Sequence, residues 1–225
     1  MKRYLILIAL ISTLLTFNKK EERNLAYINE PLFGKVIFID PGHGGRDPGA
    51  IYGNIYEKDI NLEIAKVLEN KLTALGAFVY MTRDSDVDLS SKWDKLKKRG
   101  DLYRRIRLID NKETKTDIYL SIHMNWYKSS SFSGAEVLYN NINKKNKILA
   151  ETIFNRLKED LGTKRKVKET TLYMYKNTKT PGVLIECGFL SNTNERYLLR
   201  QSEYQEKIAT SIANGVIEYF NLKEN

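Results

Sequence analysis

The 225-residue chain has one cysteine, Cys187, and only two histidines, His43 and His123. A single thiol excludes an intrachain disulfide. The lack of any Cys-x-x-Cys pair excludes the common thiolate zinc frameworks as well. Gly42-His43-Gly44 would need a glycine at position 47 to complete a dinucleotide fingerprint, and Asp47 stands there. No Gly-Lys-Ser/Thr follows, so a P-loop is excluded, and there is no His-Glu-x-x-His helix. Internal repeats and low-complexity tracts are absent too. The formal net charge of +9 implies an anionic environment. It comes without an arginine-rich stripe interleaved with aromatics, which argues against nucleic acid. An anionic lipid surface or a cell-wall polymer fits that charge.

What is present is a chain long enough for one well-buried domain. Its apolar share of 42% is that of a globular protein. Residues 1–17 open with Lys2 and Arg3 and continue as an apolar run, the pattern of a secretory signal peptide or signal-anchor. Export across the cytoplasmic membrane is therefore expected, with cleavage or retention as a membrane contact both open. Residues 18–33 are polar and read as a linker, leaving 34–225 as the folded domain.

Residues 36–57 organise that domain. Val36-Ile37-Phe38-Ile39 is a short apolar run, expected as a buried strand and stopped by Asp40-Pro41-Gly42. His43 then projects from the strand end on a glycine-rich loop, and Glu57 stands where a helix begins. The spacing of Ile60, Ile64, Val67, Leu68 and Leu72 predicts a helix over 58–75, closed by Gly76. Further strands are expected at 77–82, 117–122 and 135–139, a short one at 172–176, and a buried one at 182–187. Helices are expected at 101–111, 147–161, 194–199 and 204–220. Strands alternating with helices predict a single α/β domain with a central, largely parallel sheet covered on both faces. Ligands bind such sheets outside the carboxyl ends of the strands. His43, His123 and Glu186 each follow or end a strand, so three polar residues fall on one edge.

Two imidazoles and a carboxylate, His43, His123 and Glu57, form a ligand set that leaves a zinc ion one open position. Glu186 is then a spare carboxylate able to take a proton from water. Each residue also has a purely structural reading. His43 can belong to a turn, His123 to a satisfied core, and Glu57 to a helix first turn favoured by the dipole. Glu186 is harder to explain that way, since an acid inside Val-Leu-Ile-Glu-Cys-Gly-Phe-Leu costs desolvation without a task or a partner. Strand alternation puts Cys187 on the opposite face from Glu186, as a small buried residue.

Six motifs occur in order: Asp40-Pro41-Gly42-His43-Gly44-Gly45, Asp47-Pro48-Gly49-Ala50, Glu57-Lys58-Asp59, Met81-Thr82-Arg83, Ser121-Ile122-His123-Met124-Asn125 and Glu186-Cys187-Gly188-Phe189-Leu190-Ser191-Asn192. Together they resemble the zinc-dependent N-acetylmuramoyl-L-alanine amidases of bacterial cell walls, from about residue 35 to 220. Met124 replaces an alanine common in relatives, and Cys187 a usual aliphatic residue. The resemblance implies one zinc ion per chain on His43, Glu57 and His123, with Glu186 as catalytic acid/base. It implies a phosphorylase/hydrolase-like amidase fold and peptidoglycan as substrate, cleaved between N-acetylmuramic acid and L-alanine. The short chain and the charged excursion at 89–100 are most similar to the germination-specific subgroup, which acts on spore cortex on the route to muramic-δ-lactam. That subgroup implies the forespore intermembrane space or cortex as location and an accessory spore lipoprotein as partner. Arg105 or its neighbours are candidates to meet peptide carboxylates. Two alternative functions are a zinc peptidase acting within the stem peptide and a non-catalytic wall-binding module.

Overall fold

The computed structural model describes residues 30–224. The segment read as a signal and most of the segment read as a linker lie outside the described residues. Leu32, near the end of that linker, is fully buried, and its backbone N–H donates to Leu75 O at 2.9 Å. Among the described residues, no helix is long and apolar enough to cross a membrane.

The elements in chain order are β1 (Val36–Pro41), β2 (Ile51–Tyr52), β3 (Ile55–Tyr56), α1 (Glu57–Ala74), β4 (Phe78–Met81), α2 (Lys97–Ile109), β5 (Ile118–Asn125) and β6 (Glu136–Tyr139). They continue as α3 (Lys144–Leu161), β7 (Lys168–Glu169), α4 (Tyr173–Asn177), β8 (Gly182–Phe189), α5 (Thr193–Leu198) and α6 (Ser202–Glu224). Six strands form one sheet in the order β4-β1-β5-β8-β6-β7. Every pairing is parallel except β6 with β8. The expected α/β sheet, mainly parallel and flanked by helices, is the architecture found.

Burial on both faces explains why the central strands read as unbroken apolar runs rather than alternating ones. Ile37, Ile39, Leu120, Ile122, Val183 and Ile185 belong to the larger core, with residues of α1, α3 and α6. Phe38, Tyr119 and Leu184 belong to a smaller one, with Ile106 and Ile109 of α2 and Met174 and Tyr175 of α4. Cys187 is buried in the larger core, as alternation from Glu186 requires. Each fully buried Leu or Ile contributes about 1.5–3 kcal/mol before the entropy of ordering it is set against that gain. Residues of α2 and the short α4 cover the second face.

Three expectations differ from the structure. Residues 173–177 form a helix instead of a strand. Met174 and Tyr175 are consecutive and both buried, which a half-buried strand, with its alternating faces, does not allow. Strand β5 does not stop before His123 but runs to Asn125, with a register shift between the two. The β2–β3 hairpin was not foreseen, although Gly53-Asn54 between two Ile-Tyr pairs carries the signal.

Candidate metal centre

His43 sits just past β1 with φ of 61°, a left-handed conformation that costs a non-glycine residue on the order of 1–3 kcal/mol. Such a conformation persists only where its surroundings over-determine it, and here two buried arginines do so. Arg83 donates from Nε to Pro41 O at 3.0 Å and from Nη2 to Gly42 O at 2.9 Å. Arg105 donates to Pro41 O at 2.8 Å and to His43 O at 2.6 Å. Asn61, one turn into α1, adds a bond to Gly42 O at 3.1 Å. Arg105 is also paired with Asp40 Oδ1 at 2.7 Å, and that carboxylate accepts from Thr82 and Ser121 at 2.7 Å each. Burial alone would push Asp40 up. The Arg105 charge and the Thr82 and Ser121 hydrogen bonds outweigh it and hold the carboxyl below its usual range.

This arrangement corrects the reading of Arg105 as a group that meets peptide carboxylates. It is buried and spends its donors on β1 and the His43 loop.

Glu57 opens α1, so the helix dipole favours its charge. Its Oε2 accepts from Ala50 N at 2.8 Å. Its Oε1 lies 3.2 Å from His43 Nε2 and 2.9 Å from His123 Nδ1, and accepts from Met124 N at 3.2 Å. Two glycines make this convergence possible. A Cβ at Gly42 would stand 2.1 Å from the His123 ring, and one at Gly49 would stand 2.5 Å from Glu57 Oε2. The imidazoles meet edge to face, with centroids 5.0 Å apart.

Atoms bound to one tetrahedral zinc at about 2.0–2.1 Å stand roughly 3.3 Å from one another. The three donor atoms of His43, Glu57 and His123 lie within 4.8 Å of one another, and both histidine–carboxylate separations are close to that spacing. The donor set and its spacing therefore fit a zinc ion. The electrostatics agree. Burial works against charge on His43, yet Asp47 and Glu57 outweigh it and raise its pKa to about 9. Burial likewise pushes Glu57 up, and the two histidines more than reverse it, holding Glu57 well below the carboxylate range. The pocket is built to take positive charge.

Glu186 is the in-register neighbour of His123 on β8 and faces Glu136 across the antiparallel pairing with β6. Its Oε2 is buried without a hydrogen-bond partner. Burial, followed by the charges of Glu57 and Glu136, pushes its pKa up to about 8. Sequence reasoning did not single out Glu136. It is buried, accepts from Asn125 Nδ2 at 2.9 Å, and pairs with Lys168 at 2.7 Å and Arg165 at 3.2 Å. The signal that raised Glu186, an acid within an apolar strand, was available for Glu136 too. His43, Glu57 and His123 thus converge where β1 and β5 end and α1 starts, with Glu186 in register beside His123 on β8.

The N-acetylmuramoyl-L-alanine amidase family model, Amidase_3, matches residues 37–218. The germination-specific N-acetylmuramoyl-L-alanine amidase of Bacillus subtilis (strain 168) is 42% identical over 198 residues, covering 86% of this chain and 83% of that one. The N-acetylmuramoyl-L-alanine amidase LytC of the same organism is 37% identical over 196 residues, which are 86% of this chain but 37% of that longer protein. Among solved structures, the CwlD amidase from Clostridioides difficile in complex with the GerS lipoprotein aligns with a TM-score of 0.79 at 36% identity. The alignment covers 84% of this chain and 100% of that one.

Proposed function

The chain belongs to the N-acetylmuramoyl-L-alanine amidase family, and on that premise we propose that His43, Glu57 and His123 hold one zinc ion and that Glu186 is the catalytic acid/base. The family match and the relatives make the chain a peptidoglycan amidase. The observation that carries the finer reading is the convergence of His43 Nε2 and His123 Nδ1 on one Glu57 oxygen, beside a carboxylate with an unpartnered buried oxygen.

When bound, zinc supplies a Lewis acid that polarises the scissile carbonyl and makes water a better nucleophile. The protein supplies the rest. Arg83 and Arg105 fix the His43 loop, and Ala50 N and Met124 N orient Glu57. Glu186 accepts a proton from the attacking water at its carboxylate and delivers it to the departing amine nitrogen of L-alanine. The bond cleaved is the amide between the lactyl group of N-acetylmuramic acid and the stem peptide.

The similarity to a germination-specific amidase supports spore cortex as the setting, on the route to muramic-δ-lactam, with action on the far side of the cytoplasmic membrane. The GerS complex of the C. difficile relative supports an accessory lipoprotein as partner. Mass spectrometry of purified peptidoglycan after incubation with the zinc-loaded protein tests the reaction. Glycan freed of stem peptide, with a new L-alanine amine, is expected. Cuts confined to the stem peptide would replace the amidase with a peptidase, and binding without cleavage would leave a wall-binding module. His43→Ala and His123→Ala should each lose most of the zinc, since no other histidine can substitute. Elemental analysis giving full zinc in both variants removes this site from consideration.

A further inference from the structure

Resting on the amidase reading above, we propose that the cleft between α2 and α4 is the subsite for the acidic part of the stem peptide, and that Lys98 and Arg99 hold one of its free carboxylates. The cleft has a volume of about 280 Å³ and runs directly off the metal centre, with His43 and His123 in its lining. Leu102, Met174, Tyr175 and Leu184 give it an apolar floor. Its rim carries Lys98 on the first turn of α2 and Tyr173 on α4.

The cations at this rim are not explained by the fold. The first turn of α2 begins Lys97-Lys98-Arg99 and holds no acidic residue. Positive charge there opposes the helix dipole. Lys97 is used internally, donating to Ser91 O and Lys92 O at 2.9 Å each. Lys98 and Arg99 are not. Lys98 is 72% exposed and its one ion pair among the described residues is with the half-buried Asp47, 3.7 Å away, a long contact that solvent screens. Arg99 lies over the Tyr173 ring, 5.5 Å from its centroid, with no acidic partner among the described residues. The other carboxylates of the cleft are committed: Asp40 and Asp101 to Arg105, and Asp47 beside His43 at 2.9 Å. Lys98 thus stands at the rim of an apolar slot, with Arg99 next to it over the Tyr173 ring that also lines the slot.

The reach is right for a peptide. Asp47 Oδ2 contacts both His43 Nδ1 and Lys98, so the ammonium stands within about two extended residues of the His43 ring, at roughly 3.3–3.6 Å per residue. A sugar offers neutral hydroxyls to such a rim. A stem peptide offers a carboxylate at that distance and aliphatic groups to the floor. The glycan then runs away from this cleft.

The test compares kcat/KM of the zinc-loaded protein for two muropeptides, one with free stem carboxylates and one with those carboxylates amidated. Wild-type protein should prefer the free acid about tenfold or more, mainly through KM. In the double variant Lys98→Gln/Arg99→Gln that preference should collapse toward parity, and Lys98→Glu should invert it. Zinc content measured alongside should stay at one per chain, which separates this role from one in building the metal centre. No preference in the wild type, or a preference that survives the double variant, overturns the assignment while leaving the amidase reading intact. Failure of the wild-type protein to free the stem peptide, with a new L-alanine amine, from either muropeptide overturns both.

Discussion

Replacing Glu186 by glutamine should leave zinc bound and lower turnover by roughly 10²–10⁴-fold, the usual worth of a positioned acid/base. The substitution keeps the volume of a side chain whose Oε2 has no hydrogen-bond partner, so the fold loses no bond there. Glu57→Gln should behave differently. One Glu57 oxygen faces both His43 Nε2 and His123 Nδ1, so removing its charge should cost metal as well as rate. Zinc content separates the two variants even if both are inactive. Loss of metal from Glu186→Gln with retention in Glu57→Gln would mean that the two carboxylates carry each other's roles.

Glu186→Gln should also change the pH dependence of stability in zinc-stripped protein. The folded state raises the Glu186 pKa from 4.5 to about 8 through burial and the charges of Glu57 and Glu136. Between those values the folded chain holds a proton that the unfolded chain has released. Stability from this group is therefore full below about pH 4.5 and falls as pH rises toward 8. The glutamine variant cannot release that proton, so its melting temperature should exceed that of the parent at pH 8 and approach it at pH 5. Parallel melting curves across that range would show that Glu186 is not desolvated.

The sequence carried the parts of the site that rest on local pattern. Apolar runs placed His43, His123 and Glu186 at strand ends, and parallel topology sent those ends to one edge. The parts that rest on long-range pairing were not legible. Arg105 stands in a helix rich in basic residues, where nothing distinguishes a surface arginine from a buried one until β1 lies beneath it. Residues 172–176 combine leucine, methionine and tyrosines, which favour strands by composition, yet burying the consecutive Met174 and Tyr175 on one side is met by a helical turn. Glu136 was visible as an acid in an apolar strand, but its partners Lys168 and Arg165 come from a segment about thirty residues away.

The largest expected loss of stability follows from Arg105. Arg105→Met should destabilise the fold by about 3–5 kcal/mol, because it leaves Asp40 charged and unpaired in the core. Both side chains are within 2% of full burial, so water cannot replace the lost partner. The same arginine also holds Pro41 O and His43 O. Its removal should therefore release the left-handed His43 and weaken zinc binding in whatever protein still folds. Arg105→Lys should rescue only part of the loss, because one ammonium cannot reproduce a fork that reaches Asp40, Asp101 and two carbonyls together. The double variant Arg105→Met/Asp40→Asn separates charge from packing. If the uncompensated carboxylate dominates, neutralising it should recover a substantial share of the stability, and denaturant midpoints of the parent, Arg105→Met, Asp40→Asn and the double variant give that coupling directly. An Arg105→Met protein that unfolds within 1 kcal/mol of the parent, with unchanged zinc affinity, would remove Arg105 from the architecture of the site.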